Sequence, residues 1–227
     1  MHSSAMKKSR TQILLSSKNK FRLIAEILIL YIILPLIIME DIIPVPLLLI
    51  LMLMGLTVFF YLFFDPSFER VNLINWREGK KELRSIFLFF PVAAIIMVAL
   101  IWIMDPDKLF QLARFNPWLL LMISIFYPVF SVIPQGLAYR AFFFHRYGNI
   151  FGGRIPGIIA SALFFSYAHI LYKNWLVLGL TFIAGLIFAW RYQKSKSLLI
   201  SIIEHSLYGV WLFACGLGYF FVSSFVD

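Results

Sequence analysis

Polar side chains that are rare in hydrocarbon recur in the second half of this apolar chain. Gln135 and Arg140 share one apolar stretch, His169 lies in a second and His205 in a third. Ionisable residues at membrane depth are costly and usually mark a functional site. Two imidazoles near an amide and a guanidinium are suited to acid–base chemistry or to metal binding, so these four residues predict a site rather than isolated packing residues.

Glu204 is the carboxylate expected closest in depth to these four residues. It directly precedes His205, and consecutive residues of an α-helix point about 100° apart, so Glu204 faces away from that imidazole. We expect a structural ion pair between Glu204 and Arg140 across the bundle, in preference to a catalytic base or a protonated, inert acid. Glu204 is also the possible third ligand of a zinc site with His169 and His205. Two histidines without further matched ligands make a weak metal site, so no cofactor is expected.

The composition determines the environment of these residues. Of 227 residues, 62% are hydrophobic and 14% are charged, whereas a soluble domain carries about 25% charged residues. The predicted fold class is all-α, a polytopic membrane helix bundle. The single cysteine, Cys215, excludes an intrachain disulfide and a cysteine-based metal site. Basic loops facing anionic lipid account for the net charge of +9 without a nucleic-acid partner.

Runs of about 20 apolar residues predict the membrane spans. The expected spans, about seven, are residues 21–39, 43–64, 85–104, 117–144, 155–172, 175–190 and 197–221. If the N-terminus is inside, most Lys and Arg residues fall in segments on the cytoplasmic side of the membrane. Lys108, Arg114 and Lys173 then lie on the opposite side. Because basic loops stay in the cytoplasm, this asymmetry predicts an N-in, C-out topology.

A single transmembrane domain is expected over residues 21–227, with a motif-bearing core at about 117–221. Residues 1–20 are predicted to form a flexible, basic cytoplasmic N-terminus. The polar loop 65–84 mixes both signs of charge, which is typical of an amphipathic surface helix. Arg22 and Glu26 lie four residues apart in the first span and predict a local ion pair.

Three short motifs contain the polar residues of the later spans. They read "QGLAYR" (135–140), "FSYAH" (165–169) and "HSLYG" (205–209). In order and spacing they resemble the CAAX-processing and bacteriocin-processing (CPBP) family, also called Abi, of intramembrane proteases, which is related to type II CAAX prenyl endopeptidases. The motifs of that family read Glu-Glu-x-x-x-Arg, Phe-x-x-x-His, and His-x-x-x-Asn or a small residue.

The resemblance implies a role for each matching residue. In the family, a glutamate of motif one activates a water molecule, so His169 would help to position that water. His205 would help to hold the developing oxyanion, together with the residue at position 209. Arg140 would clamp the motif-one acid, because residues 136 and 140 share a face of an α-helix.

The sequence departs from the family at two motif positions. Gln135 and Gly136 replace the two glutamates, and Gly209 stands where the family often has asparagine. A glutamine amide takes no proton near neutral pH and cannot act as a general base. Losing a general base typically costs a factor of about 10²–10⁴ in rate.

Two functions from different classes are therefore open, and the family resemblance favours the first, an enzyme, although the usual general-base glutamate is absent. One is a CPBP-type intramembrane endopeptidase that cleaves a membrane-associated or lipidated protein or peptide. The other is a catalytically degenerate member that acts as a membrane binding or scaffold protein. A transporter is disfavoured because the chain shows no inverted repeat. The expected location is a multi-pass position in a bacterial inner membrane.

Overall fold

The structure, a computed structural model, describes residues 17–40, 42 and 44–221. Seven helices within these residues are long and apolar enough to cross a membrane, and we number them α1–α7. They are Asn19–Met39 (α1), Leu47–Phe64 (α2), Val71–Met104 (α3), Pro117–Phe151 (α4), Arg154–Tyr172 (α5), Trp175–Ser195 (α6) and Leu198–Cys215 (α7). The predicted all-α bundle of an integral membrane protein is confirmed.

Two expectations about the N-terminal region and the orientation stay predictions. Residues 1–16, most of the segment predicted to be flexible, lie outside the described residues. The helix that contains the span α1 begins at Ser17, two residues before the span itself. The inside location of the N-terminus rests on the distribution of Lys and Arg alone.

Three stretches differ from the predicted helix bounds. The loop 65–84 was expected to form one amphipathic helix, but most of it forms the irregular first part of α3. This part consists of the short helices Val71–Ile74 and Trp76–Gly79 and a 3-10 turn at Lys80–Glu82, and the regular helix Leu83–Met104 follows. Short helices at Pro106–Lys108 and Gln111–Phe115 connect α3 to α4. The last span ends at Cys215 because Gly216 takes a left-handed conformation with φ 113°, and a 3-10 turn follows at Leu217–Phe221.

The helix α4 is not a regular α-helix. It contains two π-helical segments, Pro128–Val132 and Leu137–Phe142, on either side of the α-helical turn Ile133–Gly136. Hydroxyl groups of other helices donate to its carbonyl oxygens: Tyr31 to Ala138 at 2.8 Å, and Ser161 to Tyr139 at 2.7 Å. Since hydrocarbon offers no other partner to a displaced carbonyl, these bonds stabilise the irregular segment.

Small residues and central burial hold the later helices together. Helices α5 and α6 approach so closely that a Cβ on Gly185 would lie 2.9 Å from the Cα of Ala162, as is common where membrane helices pack through small residues. Half of the residues in α7 are buried, the largest share among the seven spans. The outer faces carry exposed apolar side chains such as Ile95, Ile103 and Ile183, which fits contact with lipid.

Ion pairs tie one end of α4 to the neighbouring elements. Arg146 donates two hydrogen bonds to the Glu26 carboxylate of α1, at 2.7 and 2.8 Å. The predicted pair between Arg22 and Glu26 is present at 3.7 Å, but Arg146 is the nearer partner. His145 contacts Asp65, at the end of α2, with 2.9 Å between Nε2 and Oδ2.

Asp65 gives this end of the bundle a pH dependence. Hydrogen bonds from Ser67 and from His145 hold the pKa of the Asp65 carboxyl at about 2, below its ordinary value of 3.8. Because the folded-state pKa is depressed, the stabilisation is fully present at neutral pH and is lost as the pH falls from about 4 through about 2.

We expect Asp65→Asn to lower the free energy of unfolding by about 1 kcal/mol at neutral pH, because it removes a partly buried charged partner of His145. The difference from the unmodified chain should shrink as the pH falls from about 4 through about 2, because Asp65 becomes protonated over this range while asparagine is neutral throughout. Thermal unfolding in detergent at several pH values measures it, with Asp107→Asn in the α3–α4 connection as the control. A difference that stays constant down to pH 2 would contradict this assignment.

Candidate functional site

Gln135, the first residue of motif one, lies in the short α-helical turn between the two π-helical segments. Its side chain is 8% exposed, and its Nε2 donates to the Ser131 hydroxyl at 2.7 Å, one helical turn earlier. Its Oε1 is buried without a hydrogen-bond partner among the described residues. The amide is therefore held in place by α4 itself and presents a free acceptor.

Arg140, the last residue of motif one, is 1% exposed. Its guanidinium carbon lies 4.3 Å from the ring centre of Phe165 and 5.2 Å from that of Phe188. Both Nη atoms are buried without a hydrogen-bond partner among the described residues. Aromatic faces thus supply the contacts that the sequence led us to expect from an acid.

Gly136 does not face the polar residues of the site. A Cβ at this position would point to α7, 3.2 Å from Cγ1 of Ile202 and 3.4 Å from Cδ1 of Leu198. The π-helical segment that begins at Leu137 changes the register between residues 136 and 140. The assumption of regular α-helical spacing between these residues was therefore wrong.

His169 lies beyond the regular helix of α5, which ends at Tyr167. Its Nδ1 lies 2.7 Å from the carbonyl oxygen of Phe165. A carbonyl only accepts hydrogen bonds, so Nδ1 carries the proton and Nε2 keeps its lone pair. The imidazole is oriented by the backbone of its own motif.

His205 lies in the middle of α7 and is 6% exposed. Its Nε2 lies 3.3 Å from the Tyr127 hydroxyl, and its Nδ1 has no hydrogen-bond partner among the described residues. One turn later, Gly209 faces the same tyrosine: a Cβ at 209 would overlap the Tyr127 hydroxyl oxygen and lie 2.7 Å from Cζ. The phenol therefore occupies the space into which a side chain at position 209 would project.

Phe165 is the common contact of the three motifs. Its ring centre lies 4.8 Å from that of His169 and 5.5 Å from that of His205, and Arg140 lies over its face. His205 also stacks on Phe188 of α6 at 4.4 Å. The structure thus brings together Arg140, His169 and His205 around aromatic rings, and Gln135 lines the same cavity as the two histidines.

Glu204 belongs to a different cluster, and the predicted pair with Arg140 is wrong. The Glu204 carboxylate accepts from Nε and Nη2 of Arg191 at 2.8 and 2.9 Å, and both side chains are buried. Arg191 also binds Glu82 and Ser85 of α3, and Lys194 lies 2.8 Å from Glu82. Consecutive residues of α7 point about 100° apart, so Glu204 reaches Arg191 whereas His205 contacts Phe188, three residues earlier on α6.

The same geometry removes Glu204 as a third metal ligand beside the two histidines. No group of three His, Cys, Asp or Glu residues suited to a metal ion is found in the part of the chain that the structure describes.

Two apolar cavities meet at the polar residues. The first, of about 790 Å³, is lined by α3, α6 and α7 and reaches His205 and Gly209. The second, of about 690 Å³, is lined by α1, α2 and the first half of α4. Five polar side chains bound both cavities: Tyr127, Ser131, Gln135, His169 and Tyr172. We term the first four of them the polar wall. Volumes of this size are typical of small-molecule sites.

Sequence reasoning missed three contributors to the site. Phe188 and Tyr127 resemble ordinary packing residues in a chain with 25 Phe and 10 Tyr. The predicted span 175–190 ends just before Arg191 and leaves this residue in a loop. The sequence does contain a signal for the polar wall. Tyr127, Ser131 and Gln135 recur every four residues and therefore follow one face of a helix.

Comparison with known proteins agrees with the three motifs. The family model "Type II CAAX prenyl endopeptidase Rce1-like" matches residues 116–211, which contain all three motifs. Comparisons with curated proteins and with solved structures gave no match. The resemblance to the CPBP family is thereby confirmed.

Proposed function

We propose that this chain, whose residues 116–211 match the family model "Type II CAAX prenyl endopeptidase Rce1-like", binds a lipid-modified peptide in the membrane without cleaving it. The prenyl group would occupy one apolar cavity, and the peptide would cross the polar wall. A bacterial inner membrane is the location that fits this proposal.

The observation that supports it is that Glu204, the carboxylate expected closest in depth to the motif residues, is already held in an ion pair. Glu204 lines the same cavity as the two histidines, but two hydrogen bonds hold its carboxylate on Arg191. Gln135 cannot take a proton near neutral pH, and Gly136 carries no side chain. Hydrolysis of a peptide bond needs a base to activate water, and its loss typically costs a factor of about 10²–10⁴ in rate.

The apolar lining supports the choice of ligand. The cavity between α3, α6 and α7 is bounded by side chains such as Phe89, Ile96 and Leu180, which suit a hydrocarbon chain. The second cavity begins on the other side of Tyr127, Ser131, Gln135 and His169. A ligand with an apolar tail and a polar segment matches this succession of surfaces.

Endopeptidase activity is the second candidate, and His169 is the residue that favours it. Its Nε2 keeps a lone pair because Nδ1 donates to the Phe165 carbonyl oxygen. An imidazole in this state can accept a proton from water.

A comparison of three chains separates the two candidates. The unmodified protein, Gln135→Glu and Gly136→Glu are reconstituted in lipid nanodiscs with a fluorescent S-farnesylated peptide that ends in a free carboxylate. Binding is followed by anisotropy, and cleavage by mass spectrometry. We expect the unmodified chain to bind the peptide without cleaving it.

The two variants place the same acid on different sides of α4. Gln135→Glu puts a carboxylate on the polar wall and is expected to introduce slow cleavage, whereas Gly136→Glu directs it to Ile202 and Leu198 and is expected to introduce none. Cleavage by the unmodified chain that disappears in His169→Gln would overturn the proposal in favour of the endopeptidase.

A further inference from the structure

We propose that the Tyr127 hydroxyl donates a hydrogen bond to a peptide carbonyl of the bound ligand, and that Gly209 is the residue that makes room for it. This inference deepens the proposed function and rests on it. Tyr127 thereby becomes a specificity-determining residue that distinguishes a lipid-modified peptide from a plain hydrocarbon chain.

The packing of Gly209 against Tyr127 is the first observation. A Cβ at 209 would overlap the hydroxyl oxygen and would lie 2.5 and 2.7 Å from Cε1 and Cζ. Real Cβ atoms do not approach ring atoms this closely, so any larger residue at 209 must displace the phenol. The ring is further fixed by an edge-to-face contact with Phe213, 5.5 Å away.

The second observation is the orientation of the hydroxyl by His205. Tyr127 Oη lies 3.3 Å from His205 Nε2. When Nε2 carries the ring proton, it donates to the phenol oxygen and leaves the hydroxyl hydrogen free for another acceptor. His205 is itself held against Phe188 at 4.4 Å, so the pair is a fixed donor rather than a mobile one.

The third observation is the position of this donor between the two cavities. Tyr127 is half-buried and bounds both. Of the polar residues on this face of α4, Gln135 and Ser131 contact each other, and Tyr127 is the one that His205 orients. A carbonyl that crosses from one cavity to the other would meet the Tyr127 hydroxyl on this face of α4.

The test uses two probes that carry the same farnesyl group. One is a fluorescent S-farnesylated tetrapeptide, and the other is a fluorescent farnesyl thioether without any carbonyl group. Dissociation constants are measured in nanodiscs for the unmodified chain, Tyr127→Phe, Gly209→Ala and the double variant. Tyr219→Phe, which changes an exposed tyrosine after α7, is the matched control.

We expect Tyr127→Phe and Gly209→Ala each to weaken binding of the farnesylated peptide about fivefold, the effect of one lost hydrogen bond. The double variant should lose no more than the single ones, because both changes remove the same contact. Binding of the carbonyl-free thioether should stay within about twofold for Tyr127→Phe, since this change leaves the apolar surfaces in place.

Two results would overturn the inference while leaving the proposed function intact. One is unchanged peptide binding in Tyr127→Phe, and the other is an equal loss for both probes, which would indicate a purely structural role. If the unmodified chain binds neither probe, the proposed function fails and the inference fails with it.

Discussion

Glu204→Gln is expected to lower the free energy of unfolding by about 3 kcal/mol, because it removes the charge that compensates a buried guanidinium. Glu204 is 1% exposed and Arg191 is 2% exposed, and two short hydrogen bonds join them. Glutamine keeps the shape of the side chain but offers a single acceptor and no charge. Glu82 still contacts Arg191, which places the loss at the lower end for a broken buried pair.

The matched control is the same substitution in an exposed pair. Glu78 lies 2.5 Å from Lys81, and the two side chains are 47% and 61% exposed, so Glu78→Gln should leave the unfolding midpoint almost unchanged. Thermal unfolding in detergent, followed by circular dichroism, compares the two variants with the unmodified chain. Equal unfolding midpoints for Glu204→Gln and Glu78→Gln would refute the structural role of the Arg191 pair.

The seven spans were predictable because each depends on local sequence. A run of apolar residues long enough to cross hydrocarbon identifies a helix whatever its neighbours are. Bounds were less accurate where a single residue or a tertiary contact decides them. Gly216, with φ 113°, ends α7 six residues earlier than the predicted end at 221.

The meeting of the motif residues was also predictable, but their partners were not. The order and spacing of the three motifs led us to expect Gln135, Arg140, His169 and His205 at one place. The π-helical segments of α4 carry no comparable signal, because the hydroxyls that stabilise them come from Tyr31 and Ser161 on other helices.

The pairing of buried charges shows the same limit. By charge alone, Arg140 and Arg191 are equally suited to form an ion pair with Glu204. The sequence does not tell which of the two lies closer to it. The contacts decide the matter: Glu204 binds Arg191 of α6, and His205 stacks on Phe188, whose ring the Arg140 guanidinium also contacts. A charge assigned to a loop by its sequence neighbours is in fact among the most buried cations of the bundle.

Arg140→Met is expected to stabilise the protein, in contrast to Glu204→Gln. It should raise the free energy of unfolding by about 2 kcal/mol. The Arg140 guanidinium is buried, both Nη atoms lack a hydrogen-bond partner among the described residues, and none of the ion pairs found there includes it. Its contacts with Phe165 and Phe188 offset part of the desolvation cost, by about 2 kcal/mol. Methionine fills a similar volume, keeps contact with both rings and carries no charge to desolvate.

Arg191→Met provides the comparison that makes this result informative. Both substitutions remove a buried guanidinium. Arg191 has acidic partners on two helices, so its loss should destabilise the protein. Opposite shifts in the unfolding midpoint would mean that Arg140 is kept at a cost to stability, which is typical of a residue retained for function. A loss of stability in both variants would instead make Arg140 a structural residue like Arg191, and farnesylated-peptide binding by Arg140→Met would then be expected to fall only in proportion to the unfolded fraction.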